Sequence, residues 1–386
     1  MFSSNSDFSA CRTMVVDDSL LDRKIFCASL KRLGIHHITQ CCSGREALLT
    51  LEEHVPDLII LDIRLGDMSG LDLCQQIRAM PGLESTPIAM QSGLGDIETI
   101  KEAFQRGAHD YFIKPLKEEE VAVRLQSMLL LRNEMKERVR HAQELSLLLR
   151  KILPEQIARE LEDKGSVQSR WCDDAVLMIL DFTAASRVAL ELNVEELIQH
   201  FNAQFDAFDT ISDHYGITRI KTVGDEYQTV AGLFDDDANI AIRSLAAAFD
   251  MRWLVQQWMH TRRAQQRPCW NVRLSVHRGP TAWGVMGNTH LQFDLIGSTI
   301  NEAHRICTAA NDGTIWCSEA IATALQTYAS FDTQGATHLR NIGDFALFEV
   351  TQLSPDIHTS IEAIIPGHAA WHQAHLPRLL ERVVSV

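Results

Sequence analysis

The chain has 386 residues, 46% of them hydrophobic, and a formal net charge of −15. That length predicts two domains with a connector, and the acidic balance argues against a nucleic-acid-binding output, which normally shows a basic stripe. Nine cysteines without a Cys-x-x-Cys pair predict free thiols in a reducing, cytoplasmic setting. Met1 to Ala10 lacks the apolar stretch of a signal peptide and no run reaches membrane-spanning length, so neither nucleic acid nor membrane is an expected partner.

Residues 1–10 read as a flexible N-terminus and 11–127 as a first domain. Thr13-Met14-Val15-Val16 ends in Asp17-Asp18, Leu58-Ile59-Ile60-Leu61 ends in Asp62, Pro87-Ile88-Ala89-Met90 leads to Ser92, and Tyr111-Phe112-Ile113 leads to Lys114-Pro115. Short β-prone runs alternating with helical stretches predict a parallel α/β sheet. In such sheets the working residues sit at the carboxyl ends of the strands. Clustered Asp17, Asp18 and Asp62 repel one another unless a divalent cation sits among them, and hard oxygen ligands suit Mg²⁺. Asp62 can then attack a phosphoryl donor, with Lys114 and Ser92 binding the added oxygens. This set resembles the receiver domain of two-component response regulators. The resemblance implies a flavodoxin-like five-stranded sheet, phosphorylation at Asp62, Tyr111 as a rotamer switch, and a sensor histidine kinase or phosphotransfer protein as partner.

Residues 128–169 read as a helical connector. Met128, Met135, Ala142 and Leu149 recur every seven residues, as do Leu131, Arg138, Leu145 and Ile152. That stripe predicts a parallel two-stranded coiled coil interrupted at Arg138, or an amphipathic helix packed on a domain. Pro154 ends or bends the helix, and a second one, through Ile157-Ala158-Arg159-Glu160-Leu161, stops near Gly165.

In residues 170–352, Ala175-Val176-Leu177-Met178-Ile179-Leu180 predicts a buried strand ending at Asp181. Asn193 and Glu196 form a capping box for a helix whose apolar face is Leu197, Phe201, Phe205, Phe208 and Ile211. A hairpin follows, Ile217 to Thr222 and Asp225 to Val230, with Asp225 at its tip. Two carboxylates on neighbouring strands suit two-metal phosphoryl transfer. Asn301 and Arg305, four apart in a predicted helix, project from one face.

These positions, in their order and spacing, resemble the class III adenylate/guanylate cyclases. The resemblance implies an α+β domain with a ferredoxin-like palm, two Mg²⁺ or Mn²⁺ ions on Asp181 and Asp225, ribose orientation by Asn301, and Arg305 meeting charge on the α-phosphate. It also implies a homodimer whose sites are shared between subunits. Leu153-Pro154-Glu155-Gln156-Ile157-Ala158 resembles the segment that commonly precedes such domains. Lys221 only donates and ionised Asp294 only accepts, a polarity that matches N1 and N6 of adenine and mismatches guanine, so ATP is the expected substrate. Two departures stand out. The family usually has a glycine within the stretch that here reads Phe182-Thr183-Ala184-Ala185-Ser186, and an arginine where Pro280 stands, with Arg278 the nearby replacement. Alternative outputs are a guanylate or diguanylate cyclase, the latter suggested by Val223-Gly224-Asp225-Glu226-Tyr227, or a weakly catalytic nucleotide-binding module. Residues 353–386 carry a helix from Pro377 to Val384 and no recognisable chemistry, and are expected either to pack on the preceding domain or to reach a partner.

Overall fold

A computed structural model describes residues 8–93, 97–234, 237–287, 289–339 and 343–386. The chain divides into two compact units, Met1–Leu145 and Ser146–Val386. Among the described residues, no helix is long and apolar enough to cross a membrane.

The first unit runs β1 (Arg12–Val16), α1 (Leu20–Arg32), β2 (His37–Cys41), α2 (Gly44–Glu53), β3 (Leu58–Asp62), α3 (Gly70–Arg78), β4 (Ile88–Ser92), α4 (Ile97–Gln105), β5 (Asp110–Ile113) and the first part of α5 (Glu118–Ile152). Its strands form one parallel sheet in the order β2-β1-β3-β4-β5, the flavodoxin-like arrangement. β3 and β4 are buried along their whole length, which is why each opens on an apolar run before its polar end at Asp62 or Gln91-Ser92. Edge strand β2 is mostly exposed and carries no apolar run by which it could be recognised. The N-terminal helical ends are fixed locally: Ser19, Ser43 and Ser69 accept the amide protons of Asp22, Glu46 and Leu71. Residues 1–7 of the expected flexible N-terminus lie outside the described residues. Phe8, by contrast, is buried against the sheet and its carbonyl accepts from Cys11 N at 3.0 Å, because its ring joins the cluster of Phe26 and Leu30.

Helix α5 starts at Glu118, ahead of the expected Met128, and continues unbroken to Ile152. Two members of the heptad stripe are taken up by the units, while its last member, Ile152, is exposed. Met128 is buried in the core of the first unit, and Leu149 packs beside Leu153 and Ile157 in the second. Between them Leu131 (57%), Met135 (66%) and Leu145 (60%) are exposed.

The second unit continues with α6 (Glu155–Lys164), β6 (Arg170–Thr183), α7 (Ala185–Val188), α8 (Val194–His214), β7 (Thr218–Val223), β8 (Glu226–Ala231), α9 (Ile240–Ala264), β9 (Asn271–Met286), β10 (Gln292–Ile296), α10 (Ser298–Ala309), β11 (Ile315–Ser318), α11 (Glu319–Ala324), β12 (Ala329–Leu339), β13 (Gly343–Leu353), α12 (Asp356–Ile364) and α13 (His368–Val384). The antiparallel order β9-β6-β8-β7, with α8 after the first strand and α9 after the third, is a ferredoxin-like palm. β11, β13 and β12 extend it beyond β9, and β10 pairs with β9 off that path.

Alternation along β6 builds two cores. Val176, Met178, Leu180 and Phe182 face α8 and α9, where Phe182 meets Phe201, Phe205, Phe208 and Trp270 at centroid distances of 5.5–6.0 Å. Ala175, Leu177 and Ile179 face the opposite cluster with Ile157, Ala158 and Ala303. Asn193 caps α8 as expected, accepting Glu196 N at 2.8 Å. The 353–386 stretch belongs to the first of these cores: Ile357, Ile361, Leu376, Leu379 and Val383 are buried in it. Its second helix begins at His368, with Pro377 inside it, rather than at Pro377.

Candidate functional site

In the first unit, β1 delivers Asp17, β3 ends at Asp62, β4 ends at Ser92, and Lys114 follows β5. One carboxylate oxygen from each of Asp17, Asp18 and Asp62 lies within 4.8 Å of the other two. Lys114 Nζ stands 2.9 Å from Asp62 Oδ2, 2.7 Å from Asp22 Oδ2 and 3.4 Å from Asp17 Oδ2. Burial pushes the Asp17 carboxyl up to about 6, against the Ser19 amide that stabilises its charge, and the neighbouring Asp62 charge pushes the same way. Burial works against the Lys114 charge too, but its bonds to Asp22 and Asp62 hold the ammonium above its ordinary range. Ser92 and Tyr111 are buried; the Tyr111 ring lies in the cluster of Met90, Ala103 and Ala108. An all-oxygen trio with one exposed member, Asp18, fits a hard divalent cation that keeps some water. Two members of this network are not legible from strand ends: Asp22, from the first turn of α1, and Gln91, whose amide donates to Asp17 Oδ2.

In the second unit Asp181 faces Glu226 of β8 and Arg273 of β9 in register. It does not end its strand, since β6 runs on to Thr183. Asp225 occupies the turn between β7 and β8, and its carbonyl accepts Phe182 N at 3.2 Å, so both carboxylates sit at one edge of the palm. Burial raises the Asp181 carboxyl; Arg273 pulls it down, and the charges of Asp225 and Glu226 push it up again. That mutual repulsion is what divalent cations relieve. Glu226 is itself engaged, accepting from Gln228 Nε2 at 2.6 Å and pairing with His304 Nδ1 at 3.0 Å.

Ala184, where the glycine-bearing loop of the family begins, has φ 66° and ψ 6°. The backbone there keeps a left-handed turn although the side chain disfavours it. Arg278, the arginine nearest to Pro280, holds Asp174 with Nε and Nη2 at 2.6 and 2.5 Å and opposes Val176 of β6.

Lys221 of β7 and Asp294 of β10, 73 positions apart in sequence, meet with Nζ 2.5 Å from Oδ2. Asp294 Oδ1 also accepts Leu295 N at 2.9 Å, which fixes the carboxylate plane. Lys221, Gln292 and Phe293 line an open cleft of about 1110 Å³ that continues past Pro154 and Glu155 to Asp213.

Asn301 and Arg305 are exposed on one face of α10, with Asn301 Nδ2 donating to Gly297 O at 3.3 Å. Alternate residues of β9 hold the other face. Arg273 Nη1 donates to Thr308 O at 3.0 Å, Ser275 Oγ donates to Ala303 O at 2.8 Å, and His277 Nε2 lies 2.9 Å from Glu302 Oε2. Gly279 completes the series, because a Cβ there would come within 2.9 Å of Thr299 Oγ1. The structure thus joins Asp181 to Asp225 and Lys221 to Asp294. Among the described residues no hydrogen bond or ion pair links either pair to the other, or to Asn301 or Arg305. Arg273, absent from the sequence reading, contacts Asp181 across 92 positions, and no local spacing signals it.

Residues 13–126 match the response regulator receiver domain family, and residues 167–351 match the adenylate and guanylate cyclase catalytic domain family. Curated relatives include the receptor-type guanylate cyclase gcy-23 of Caenorhabditis elegans, 28% identical over 48% of this chain and 17% of the relative. The germination-specific adenylate cyclase of Dictyostelium discoideum is 29% identical over 45% of this chain and 20% of the relative. The chain therefore spans about a fifth or less of the length of these relatives. Among solved structures, the adenylyl cyclase CyaB from P. aeruginosa aligns over 49% of this chain and 98% of its own, at 20% identity and TM-score 0.47. The guanylate cyclase domain of RhGC from Catenaria anguillulae in complex with GTP aligns over 48% and 100%, at 19% identity and TM-score 0.45. Parallel sheet with its acidic pocket, then palm with its paired carboxylates, follow the two matches along the chain, which carries a response regulator receiver domain ahead of an adenylate and guanylate cyclase catalytic domain.

Proposed function

We propose that this protein is a response regulator whose output converts ATP to 3′,5′-cyclic AMP and pyrophosphate, controlled by phosphorylation of Asp62. The observation that carries the base assignment is the 2.5 Å approach of Lys221 Nζ to Asp294 Oδ2 at the cleft. An ammonium keeps further N–H donors and a carboxylate further lone pairs after pairing. Side by side they offer a donor to adenine N1 and an acceptor to the N6 amine. Guanine presents the reverse order. The curated relatives include both guanylate and adenylate cyclases, so the choice rests on this pair.

Asp181 and Asp225 have the oxygen donors and mutual repulsion that suit Mg²⁺ or Mn²⁺. Such ions supply Lewis acidity toward the ribose 3′-hydroxyl and charge neutralisation at the phosphates. The remaining work falls to the chain. Asn301 holds the ribose so that its 3′-oxygen lies in line with the α-phosphorus, a positioning gain. Arg305 donates to the α-phosphate oxygens as charge grows there. The new 3′-O–P bond forms as the α–β bridging P–O bond breaks, the hydroxyl proton leaves to solvent, and pyrophosphate departs. Because no described contact joins Asp181 and Asp225 to Asn301 and Arg305, a homodimer that completes each site with the partner's α10 accounts for both halves. In the receiver, Asp62 accepts the phosphoryl group and Lys114 and Ser92 take its oxygens; Asp17, Asp18 and Asp62 would hold a Mg²⁺ that neutralises the phosphoryl charge. A sensor kinase or phosphotransfer protein supplies the group.

The test is product analysis of the purified chain with ATP or GTP in Mg²⁺ and in Mn²⁺, with and without a small-molecule phosphodonor. Cyclic AMP from ATP, lost in Asp225→Asn, is the expected result. Cyclic GTP product in preference would overturn the polarity argument, and nucleotide binding without turnover would leave a binding module.

A further inference from the structure

The charge of Asp181 is met in an unsymmetrical way. Arg273 Nε lies 2.7 Å from Oδ2, and its Nη2 lies 2.6 Å from the same oxygen. Among the described residues no hydrogen bond is made to Oδ1. The third nitrogen of the same guanidinium, Nη1, donates to Thr308 O in the last turn of α10. One planar, rigid side chain therefore fixes the rotation of the Asp181 carboxylate and ties it to the helix that carries Asn301 and Arg305. Cys307 adds to the same seam, its Sγ lying 3.6 Å from both Ile179 O of β6 and Arg273 O of β9. The fork geometry matters here. Lysine offers a compact charge on a flexible stem and cannot fill three directed donor positions on two acceptors.

We propose that Arg273 is a positioning residue for the cyclase reaction, holding Asp181 by Oδ2 so that Oδ1 stays presented toward a divalent cation, in fixed register with α10. The proposal rests on the reading of Asp181 as a metal ligand. Carboxylates that bind metals are themselves oriented by hydrogen bonds, and losing such a bond typically weakens metal affinity about 10–100-fold. Because each chain of a shared-site dimer gives its metal carboxylates to one site and its α10 to the other, the same guanidinium would also keep the two sites in step.

The measurement is Mn²⁺ binding by electron paramagnetic resonance to the full chain, in the presence of 3′-deoxy-ATP, which lacks the attacking hydroxyl. Asp18→Asn with Asp62→Asn forms the background, so that receiver binding does not contribute. Arg273→Lys keeps the charge and removes the fork. It is expected to weaken Mn²⁺ binding at least about tenfold while circular dichroism shows the fold unchanged. Arg273→Gln serves as a second variant should the lysine form fold poorly. Wild-type Mn²⁺ affinity in a folded variant overturns the proposal, including the case where only the melting temperature falls, since that is a purely structural role. A separate Asp181→Ala control keeps the two readings apart. If it binds Mn²⁺ as tightly as the background chain, the ligand assignment itself fails and takes this inference with it.

Discussion

Ala184 occupies a backbone conformation with φ 66° that costs an L-residue roughly 1–2 kcal/mol. It follows the metal-site strand by one residue, so the loop shape survives without its usual glycine at the expense of strain. Ala184→Gly is therefore expected to stabilise the second unit by about 1 kcal/mol, read as a higher urea midpoint with an unchanged m-value. An unchanged or lower midpoint would show that the strain is relieved elsewhere. The candidate residues themselves were legible to different degrees. Asp17, Asp62 and Lys114 follow apolar runs, and Asp225 follows from the hairpin pattern, because strand ends and turns are local features. Arg273, Asp22 and the Arg278–Asp174 pair were not legible. Their contacts depend on strand register and on which helix turn faces the sheet end, and neither is written in spacing.

Two elements behave unlike their sequence reading, and both for reasons of burial. The α12–α13 hairpin carries no recognisable chemistry, yet it is part of the fold: Ile357, Ile361 and Val383 are buried in the palm core. It also brings histidines to a partly buried seam. His214 Nε2 of α8 lies 2.9 Å from His368 Nδ1 of α13, His214 stacks on Trp371 at 3.8 Å, and His358, His372 and His375 surround them. Asp250 of α9 receives Tyr215 at 2.8 Å and His372 at 3.1 Å. Burial lowers His214 to about 4, with His368 adding to the shift, and burial lowers His368 as well, whereas the bond to Asp250 raises His372. The signs then follow. His214 and His368 stay neutral when folded but take protons when unfolded, so their contribution is present above pH ~6.5 and falls as the pH drops toward 4. His372 acts oppositely, contributing below its raised value and losing that contribution as the pH rises through it. With His200 and His277 of the same unit also lowered by burial, the urea midpoint of the second unit is expected to fall between pH 7 and pH 5. A flat or rising midpoint over that interval would refute the seam as an acid-labile element. Edge strand β2 escaped notice for the converse reason, exposure, which leaves no apolar run to read.

At the scale of the whole molecule, two folds in tandem were legible because each places its working residues at the ends or turns of strongly patterned elements. Assembly was less so: Met128 and Leu149 of the heptad stripe are buried in or packed on the cores of their own units, while Leu131, Met135 and Leu145 between them are exposed. The shared-site dimer makes a sharp prediction. Chains with Asp181→Ala and chains with Asn301→Ala are each expected to be inactive, and an equilibrated mixture is expected to regain activity, since a mixed dimer holds one site with both lesions and one with none. Confirmed heterodimers that remain inactive would remove the shared-site arrangement for this protein.

Helix α5 is 35 residues long without a break, on the order of 52 Å of continuous hydrogen-bonded rod. Its exposed middle belongs to neither core, so residues can be taken out of 137–148 without cutting into either. Each residue removed turns everything beyond it by about 100°, so length and rotational phase become separable variables. Excising seven residues nearly restores the original phase, about 20° short of two full turns, while excising two turns the far end by roughly 200° and shortens it far less. If the rod conveys torsion, the response of cyclase activity to a phosphodonor will survive the larger cut and fail or invert with the smaller one. A response graded by the number of residues lost would mean that the rod works as a tether.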